Sequence, residues 1–201
     1  MSEAAPLAEP LPREVVGEHI TLSLWDAAHL DEVHALVVGS LDTLAGFLPW
    51  AVEPVTADSE REALERQERG WREGRMAGWM VLEDGRVLGM LGLHRRGGPD
   101  ELEIGYWLGD AAVGRGVMTE AAALATDVAF TIDGIDLVEI VHDVANLRSE
   151  GVPRRLGYRR CASWTSTPTA RLETGVKVCW RVRRAEWAAL RDGVAAPTLR
   201  A

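Results

Sequence analysis

Gly114-Arg115-Gly116 is the trio in this 201-residue sequence whose chemistry is easiest to name. It lies inside the stretch Glu101 to Phe130, ELEIGYWLGDAAVGRGVMTEAAALATDVAF. Upstream, Leu102, Ile104, Tyr106 and Leu108 alternate with Glu103, Gly105 and Trp107, a period of two that predicts a strand. Downstream, Ala121, Leu124, Ala125, Val128 and Ala129 share one face of a helix over Thr119 to Phe130. The first turn of a helix carries N–H groups without intrahelical partners, and the helix dipole is positive there. Glycines let a ligand approach the backbone closely. Gly114 to Met118 therefore reads as an anion nest suited to a pyrophosphate, with Arg115 adding positive charge. It is not a Walker loop, because no Gly-Lys-Ser/Thr follows, and the GxGxxG dinucleotide fingerprint is absent. A plain tight turn between strand and helix explains the same residues, and the spacing alone does not separate the two readings.

The neighbouring residues add a resemblance. Glu103-Ile-Gly-Tyr-Trp-Leu108, then Gly114-Arg-Gly116, then Thr119-Glu-Ala121 resemble the strand, loop and helix start of the GNAT N-acetyltransferases, in particular the RimJ/RimL-like branch. A second block, Val138-Glu-Ile-Val-His-Asp-Val-Ala-Asn146-Leu-Arg-Ser149, ending in Leu156-Gly-Tyr158, looks like that family's following strand, N-x-x-S turn and helix. The resemblance runs from about Val16 to Arg184. Val113 stands where the family usually has an aromatic residue, Ala111 where it has Gln or Arg, and Glu150-Gly151 where basic residues are common.

The resemblance implies an α+β acyl-CoA acyltransferase fold, a central, mostly antiparallel twisted sheet flanked by helices. It also implies acetyl transfer from acetyl-CoA to a primary amine, without a metal. Three tasks follow: hold the coenzyme, deprotonate the amine, and stabilise the departing thiolate. The amides of Gly114, Arg115, Gly116, Val117 and Met118 would take the pyrophosphate. Trp107 and Leu108 would offer main-chain partners to the pantetheine arm, and an N–H near Leu108 would face the oxyanion. Glu103 is the implied base, acting through water, with Glu101 and His94 behind it. Ser149 would donate a proton to the sulfur, and Asn146 would bond the pantetheine amides. A surface strand glutamate and two helix-capping residues are the plainer readings of Glu103, Asn146 and Ser149. Phe47, Trp50 and Trp71, with His94, would wall the acceptor site, although an aromatic on a helical face such as Trp71 is usually core. Acceptors in this branch include protein amino termini, amino-acid-like metabolites and aminated antibiotics. The alternative is a non-catalytic acyl-CoA-binding sensor or interaction module.

The elements that must position these groups are legible around them. His19 to Leu24 predicts a strand. Asp26 predicts the cap of a helix to Val38 with Leu30, Val33, Val37 and Val38 inward, and Leu41 to Phe47 a short helical piece. Thr56 or Asp58 opens a charged helix to Glu73. Trp79 to Glu83 and Arg86 to Leu93 are strands joined at Asp84-Gly85. Arg95 to Asp100 is a turn. Asp136 to His142 is a strand, and Leu147 to Leu156 a helix in spite of Pro153. Tyr158 to Ser166 and Lys177 to Arg183 are two further strands, followed by a helical turn at Glu186 to Leu190.

Residues 1–15 read as a flexible arm, 16–190 as one domain and 191–201 as a fraying tail. The acidic, proline-rich start has no basic end or apolar core, so no signal peptide is expected, and no apolar run approaches membrane-spanning length. Two cysteines, Cys161 and Cys179, imply no disulfide framework, and the expectation is a cytoplasmic protein. A net charge of −9 disfavours nucleic acid as a partner. It suits either attraction of cationic amines or simple solubility. Relatives of this branch are commonly homodimers.

Overall fold

The apolar periods become elements in the following order. The chain runs β1 (Glu14–Val16), β2 (Thr21–Leu24), α1 (Leu30–Gly39), α2 (Leu41–Leu44), α3 (Ala57–Arg72), β3 (Met76–Glu83), β4 (Arg86–His94) and β5 (Glu101–Leu108). Then follow α4 (Val117–Ala129), β6 (Leu137–Asp143), α5 (Leu147–Arg155), β7 (Arg159–Thr165), β8 (Val176–Arg183), α6 (Arg184–Leu190) and β9 (Thr198–Arg200). The computed structural model describes residues 11–52, 54–95, 98–192 and 196–200. The strands form one nine-stranded sheet in the order β7-β8-β6-β5-β4-β3-β2-β1-β9. Every pairing is antiparallel except β5 with β6. The α+β architecture implied by the sequence, a mostly antiparallel sheet flanked by helices, is the one observed.

Strand alternation divides the core between the two faces of the sheet. Leu22, Trp79, Leu91, Leu102, Ile104, Val138 and Ile140 pack with Ala121, Leu124, Ala125 and Val128 of α4. Met80, Val87, Met90 and Trp107 pack on the opposite face with Val33 and Val37 of α1 and Leu64 of α3. Alanine suits α4 twice over: it is the best helix former, and its small side chain brings the helix close to the sheet. Each fully buried leucine in these layers contributes roughly 1.5–3 kcal/mol. Val38 departs from the expected stripe and is 51% exposed, since Val33 and Val37 already supply the buried face of α1. Among the described residues no helix is long and apolar enough to cross a membrane.

Both ends of the chain differ from expectation. The arm assigned to residues 1–15 includes Leu11 and Val15, which are buried in the main core. Its backbone is held by indole donors, Trp71 Nε1 to the Leu11 carbonyl at 2.8 Å and Trp79 Nε1 to the Pro12 carbonyl at 2.9 Å. The fraying tail includes β9, which pairs with β1 from Thr198 opposite Val16 to Arg200 opposite Glu14. Three-residue strands carry little periodic signal, so only their partners reveal them. Residues 1–10 of the arm, 193–195 and 201 of the tail, and 96–97 of the turn after Arg95 lie outside the described residues.

Candidate active site

The parallel β5–β6 pairing is short. It runs from Glu101 opposite Leu137 to Ile104 opposite Ile140, and the remaining halves, Gly105–Leu108 and Val141–Asp143, are not paired with each other. β5 stays paired with β4 throughout this stretch. The Gly109 amide donates to the Leu88 carbonyl at 2.9 Å. Antiparallel alternation then turns the main-chain groups of Tyr106 and Leu108 toward the β6 side, where the sheet has opened. Trp107 is turned the other way: its carbonyl would lie 2.2 Å from a Cβ placed on Gly89 of β4. Leu108 and Tyr106 thus present main-chain groups to the opening, and Trp107 presents its own to β4.

The expected nest lies beyond the end of β5. After a 3₁₀ turn at Asp110–Ala112, Gly114 and Gly116 both adopt positive φ, 82° and 87°. This is the left-handed region that favours glycine. Gly116 is the N-cap of α4 and contributes no side chain, so the first turn is capped by nothing of its own. Among the described residues no amide from Gly114 to Met118 has a backbone acceptor. Gly114, Arg115 and Gly116 are exposed, and Val117 and Met118 are buried. The guanidinium of Arg115 is not loose: Nη2 donates to Glu83 Oε1 and Oε2 at 2.8 and 2.6 Å.

Across the opening, α5 starts at Asn146, whose Oδ1 accepts the Ser149 amide at 3.1 Å as an N-cap. The capping role weighed for Asn146 is thus occupied. Ser149 is also engaged. Its hydroxyl donates to the Tyr106 phenol oxygen at 3.0 Å, and the phenol donates to the Ser149 carbonyl at 2.9 Å. The sequence explains why that carbonyl is available. In a helix it would accept from residue 153, which is a proline and has no N–H. Burial pushes the Tyr106 phenol well above its ordinary range, only partly countered by the Ser149 hydrogen bond, so it stays protonated. Tyr106 went unnoticed in the sequence because it shares a parity with Leu102 and Ile104. A polar tip in an apolar row was the available signal.

The other face of β5 carries Glu103 and Trp107. Glu103 stands opposite His94 of β4 and opposite Glu139 of β6. Gly92 and Gly105 face each other one step along, and a Cβ on Gly92 would sit 2.3 Å from His94 Nε2. The missing side chain is what gives the imidazole its place on the sheet. Glu101 pairs at the far end of β5, opposite Leu137. Trp50, 44% exposed, lies with its ring centroid 6.0 Å from that of Trp107, the planes tilted by 59°.

Half-buried Phe47 follows Gly46, whose carbonyl accepts the Leu172 amide at 2.8 Å. Arg171 Nη2 reaches the Asp42 carbonyl at 2.8 Å, so the segment bearing Phe47 and Trp50 is tied to the β7–β8 loop. That loop is in turn fixed by buried Asp143. The carboxylate accepts the Ala145 and Thr174 amides at 3.0 Å each, the Thr174 hydroxyl at 2.9 Å and the Gly175 amide at 3.0 Å. Burial alone would push this carboxyl up, but the four donors outweigh it and hold the group below its usual value. Nothing in the local sequence marks Asp143 for this task, because its partners Thr174 and Gly175 lie 31 and 32 residues on. Trp71 is not part of this wall: its N–H is bonded to Leu11, and Arg13 lies 5.0 Å over its ring.

Comparison with known proteins identifies the family of this fold. The family model described as Acetyltransferase (GNAT) domain matches residues 19–159. A Bacillus subtilis (strain 168) protein named "Putative ribosomal N-acetyltransferase YdaF" is 31% identical over 147 residues, covering 71% of this chain and 79% of that protein. The fold is similar to a crystal structure described as a probable acetyltransferase, with TM-score 0.79, 25% identity, and coverage of 86% of this chain and 98% of the other. It is also similar to RimL, a ribosomal L7/L12 alpha-N-protein acetyltransferase in complex with coenzyme A, with TM-score 0.77, 19% identity, and coverage of 87% and 98%. On the matched domain and the curated relative, the chain belongs to the GNAT acetyltransferase family and is an acyltransferase.

Proposed function

We propose that this enzyme moves an acetyl group from acetyl-CoA to a primary amine by direct attack, and that the amino terminus of a ribosomal protein is its acceptor. The observation that supports this most is the end of β5–β6 pairing at Ile104 and Ile140, which leaves a gap with the Gly114–Met118 amides beside it. Those amides would take the pyrophosphate, with Arg115 turning to it from Glu83. The main-chain groups of Leu108 and Tyr106 would pair with the pantetheine arm as an added half-strand. The thioester then lies in the gap, next to the row His94, Glu103, Glu139.

The steps balance as a simple acyl transfer. Glu103 accepts the proton of the substrate ammonium through water, and the freed amine attacks the thioester carbonyl. A C–N bond forms, and the Leu108 N–H faces the oxyanion. The nitrogen sheds its second proton as the C–S bond breaks, and the departing thiolate receives that proton through the Ser149 hydroxyl, which the Tyr106 phenol orients while keeping its own proton. Trp50, Phe47 and Trp107 form the acceptor wall. The ribosomal assignment rests on the name of the Bacillus subtilis relative and on a net charge of −9, which attracts cationic amines and basic partners. Such an acceptor would place the reaction in the cytoplasm.

Thiol release from acetyl-CoA, measured against ribosomal amino-terminal peptides, free amino acids and an aminated antibiotic, tests the reading. Turnover is expected with the peptides. Preference for either small amine would overturn the ribosomal assignment and keep the acyl transfer. Glu103→Gln is expected to lower kcat by about 10²–10⁴-fold with coenzyme affinity retained. Unchanged turnover would remove Glu103 as the base.

A further inference from the structure

We propose that Glu139, Cys161 and Cys179 form a site for one thiophilic divalent cation of the zinc class, bordering the acyl-transfer site on its β6 side. One ligand atom from each of the three lies within 4.8 Å of the other two. The sheet brings together residues that the sequence keeps 18 to 40 positions apart. β6 and β8 pair with Glu139 opposite Arg181 and Val141 opposite Cys179. β7 and β8 pair with Ala162 opposite Cys179, and the register slips between Arg160 and Ala162, leaving Cys161 as the extra residue. That bulge places Cys161 Sγ 3.4 Å from the Cys179 carbonyl. Regular alternation would send residues 161 and 162 to opposite faces. The slip is what sets the two sulfurs side by side.

The donor set and spacing suit zinc. Zinc takes thiolate sulfur at about 2.3 Å and carboxylate oxygen at about 2.0–2.2 Å in a tetrahedral arrangement. Those bond lengths put two sulfurs about 3.8 Å apart, so closing around an ion needs shifts of about 1 Å. Three protein ligands leave the fourth position to water. Cys161 is exposed and Cys179 buried, so an ion would enter past Cys161 and be held inside.

Arg181 is the obvious objection, because it is ion-paired with Glu139. Charge and geometry answer it. Two thiolates and a carboxylate carry three negative charges, a divalent ion cancels two, and the guanidinium balances the third. Arg181 Nε donates to Oε1 of Glu139, which leaves the second carboxylate oxygen for a metal. A ligating carboxylate is ordinarily hydrogen-bonded in this way. The Arg181 side chain is 43% exposed against 13% for Glu139, so the cation sits on the water side of the carboxylate. A bound ion would tie edge strand β7 to β6 across β8. It would also change the charge next to Glu103, since Glu139 is its register partner.

The experiment uses the full chain, kept reduced with a phosphine so that no thiol competes. Cadmium chloride is titrated in, and the ultraviolet thiolate-to-metal charge-transfer absorption is followed, with zinc chloride then displacing the cadmium. Saturation at one equivalent is expected, with the absorption lost in Cys161→Ser and in Cys179→Ser. Glu139→Gln should bind at least about tenfold more weakly. Coenzyme binding by each variant reports that it has folded, and Cys161→Ser, on an exposed edge, is the variant least able to disturb packing. Lack of saturable absorption would overturn the proposal. So would absorption that survives in folded Cys179→Ser, which would mean an adventitious ion on Cys161 only.

Discussion

Replacing Gly116 by alanine separates the cost of a backbone conformation from the loss of a ligand cradle. Gly116 has φ 87°, and a Cβ added there meets nothing within 4 Å. The substitution is therefore free of steric conflict, and its stability cost is the left-handed backbone alone, about 1–2 kcal/mol. For a chain of this length that lowers Tm by about 2–8 °C. Gly134, in the link between α4 and β6, has φ 78° and an equally empty surround. Gly134→Ala should lose the same stability. Only at position 116 does the new methyl group stand at the mouth of the unpartnered amides. Loss of one charge-assisted amide-to-phosphate hydrogen bond is worth about 1.5–3 kcal/mol, or roughly ten- to a hundredfold in affinity. The assay is coenzyme binding by calorimetry, with KM for acetyl-CoA alongside. Gly116→Ala should raise both, with kcat at saturating coenzyme retained, and Gly134→Ala should leave both unchanged. Equal effects at the two positions would refute the nest.

Glu83 holds Arg115 in an exposed ion pair, so Glu83→Gln should free the guanidinium and lower KM for acetyl-CoA by up to about fivefold. The gain should vanish in an Arg115→Ala background. Trp50→Ala should raise KM for the amine and leave coenzyme affinity untouched, because Trp50 lies against Trp107 with its ring tilted, on the face of β5 that carries Glu103. Asp143 sets a pH dependence of stability. Its folded pKa lies below the unfolded value of about 3.9, so its stabilisation is complete above that pH and disappears as pH falls through the folded value. Denaturant midpoints between pH 6 and pH 3 should fall less for Asp143→Asn than for the native chain. The variant should already be the less stable at pH 6, since an amide cannot accept four hydrogen bonds.

The sequence made the long elements and the loop between them legible because local rules fix them. Alternation from Leu102 to Leu108, the Asp84-Gly85 turn with φ 50° and 77°, and the Thr56 cap of α3 are decided within a few residues. The glycine turn before α4 was readable for the same reason, since Gly114 and Gly116 both take the left-handed conformation there. What escaped depends on residues far apart in the chain. Leu11 and Val15 belong to the core because Trp71 and Trp79 bond the backbone around them, over separations of 60 and 67 residues. Trp71 has the spacing of a helix-face aromatic, yet which surface it meets is set by that amino-terminal segment. The bulge at Cys161 leaves no periodic trace in a strand whose residues are all exposed.

The division of roles along β5 follows from one topological fact. A strand with antiparallel partners on both sides would have all its amides and carbonyls in ladders, and nothing would be left for a ligand. β5 has an antiparallel partner in β4 from Glu103 to Leu108 and a parallel partner in β6 only from Glu101 to Ile104. The unpaired half needs hydrogen bonds from something else, and in the proposed reaction a pantetheine arm with two amides would supply them in the manner of a missing strand. Side chains of alternate parity then do different work. Tyr106 turns to Ser149, while Glu103 and Trp107 turn to the opposite face of the sheet. In the proposed reaction, specificity for coenzyme A would be written mainly in main chain, at Tyr106, Leu108 and Gly114 to Met118. Acceptor choice would be written in side chains, at Phe47, Trp50, His94 and Trp107, and would change by substitution without disturbing the coenzyme.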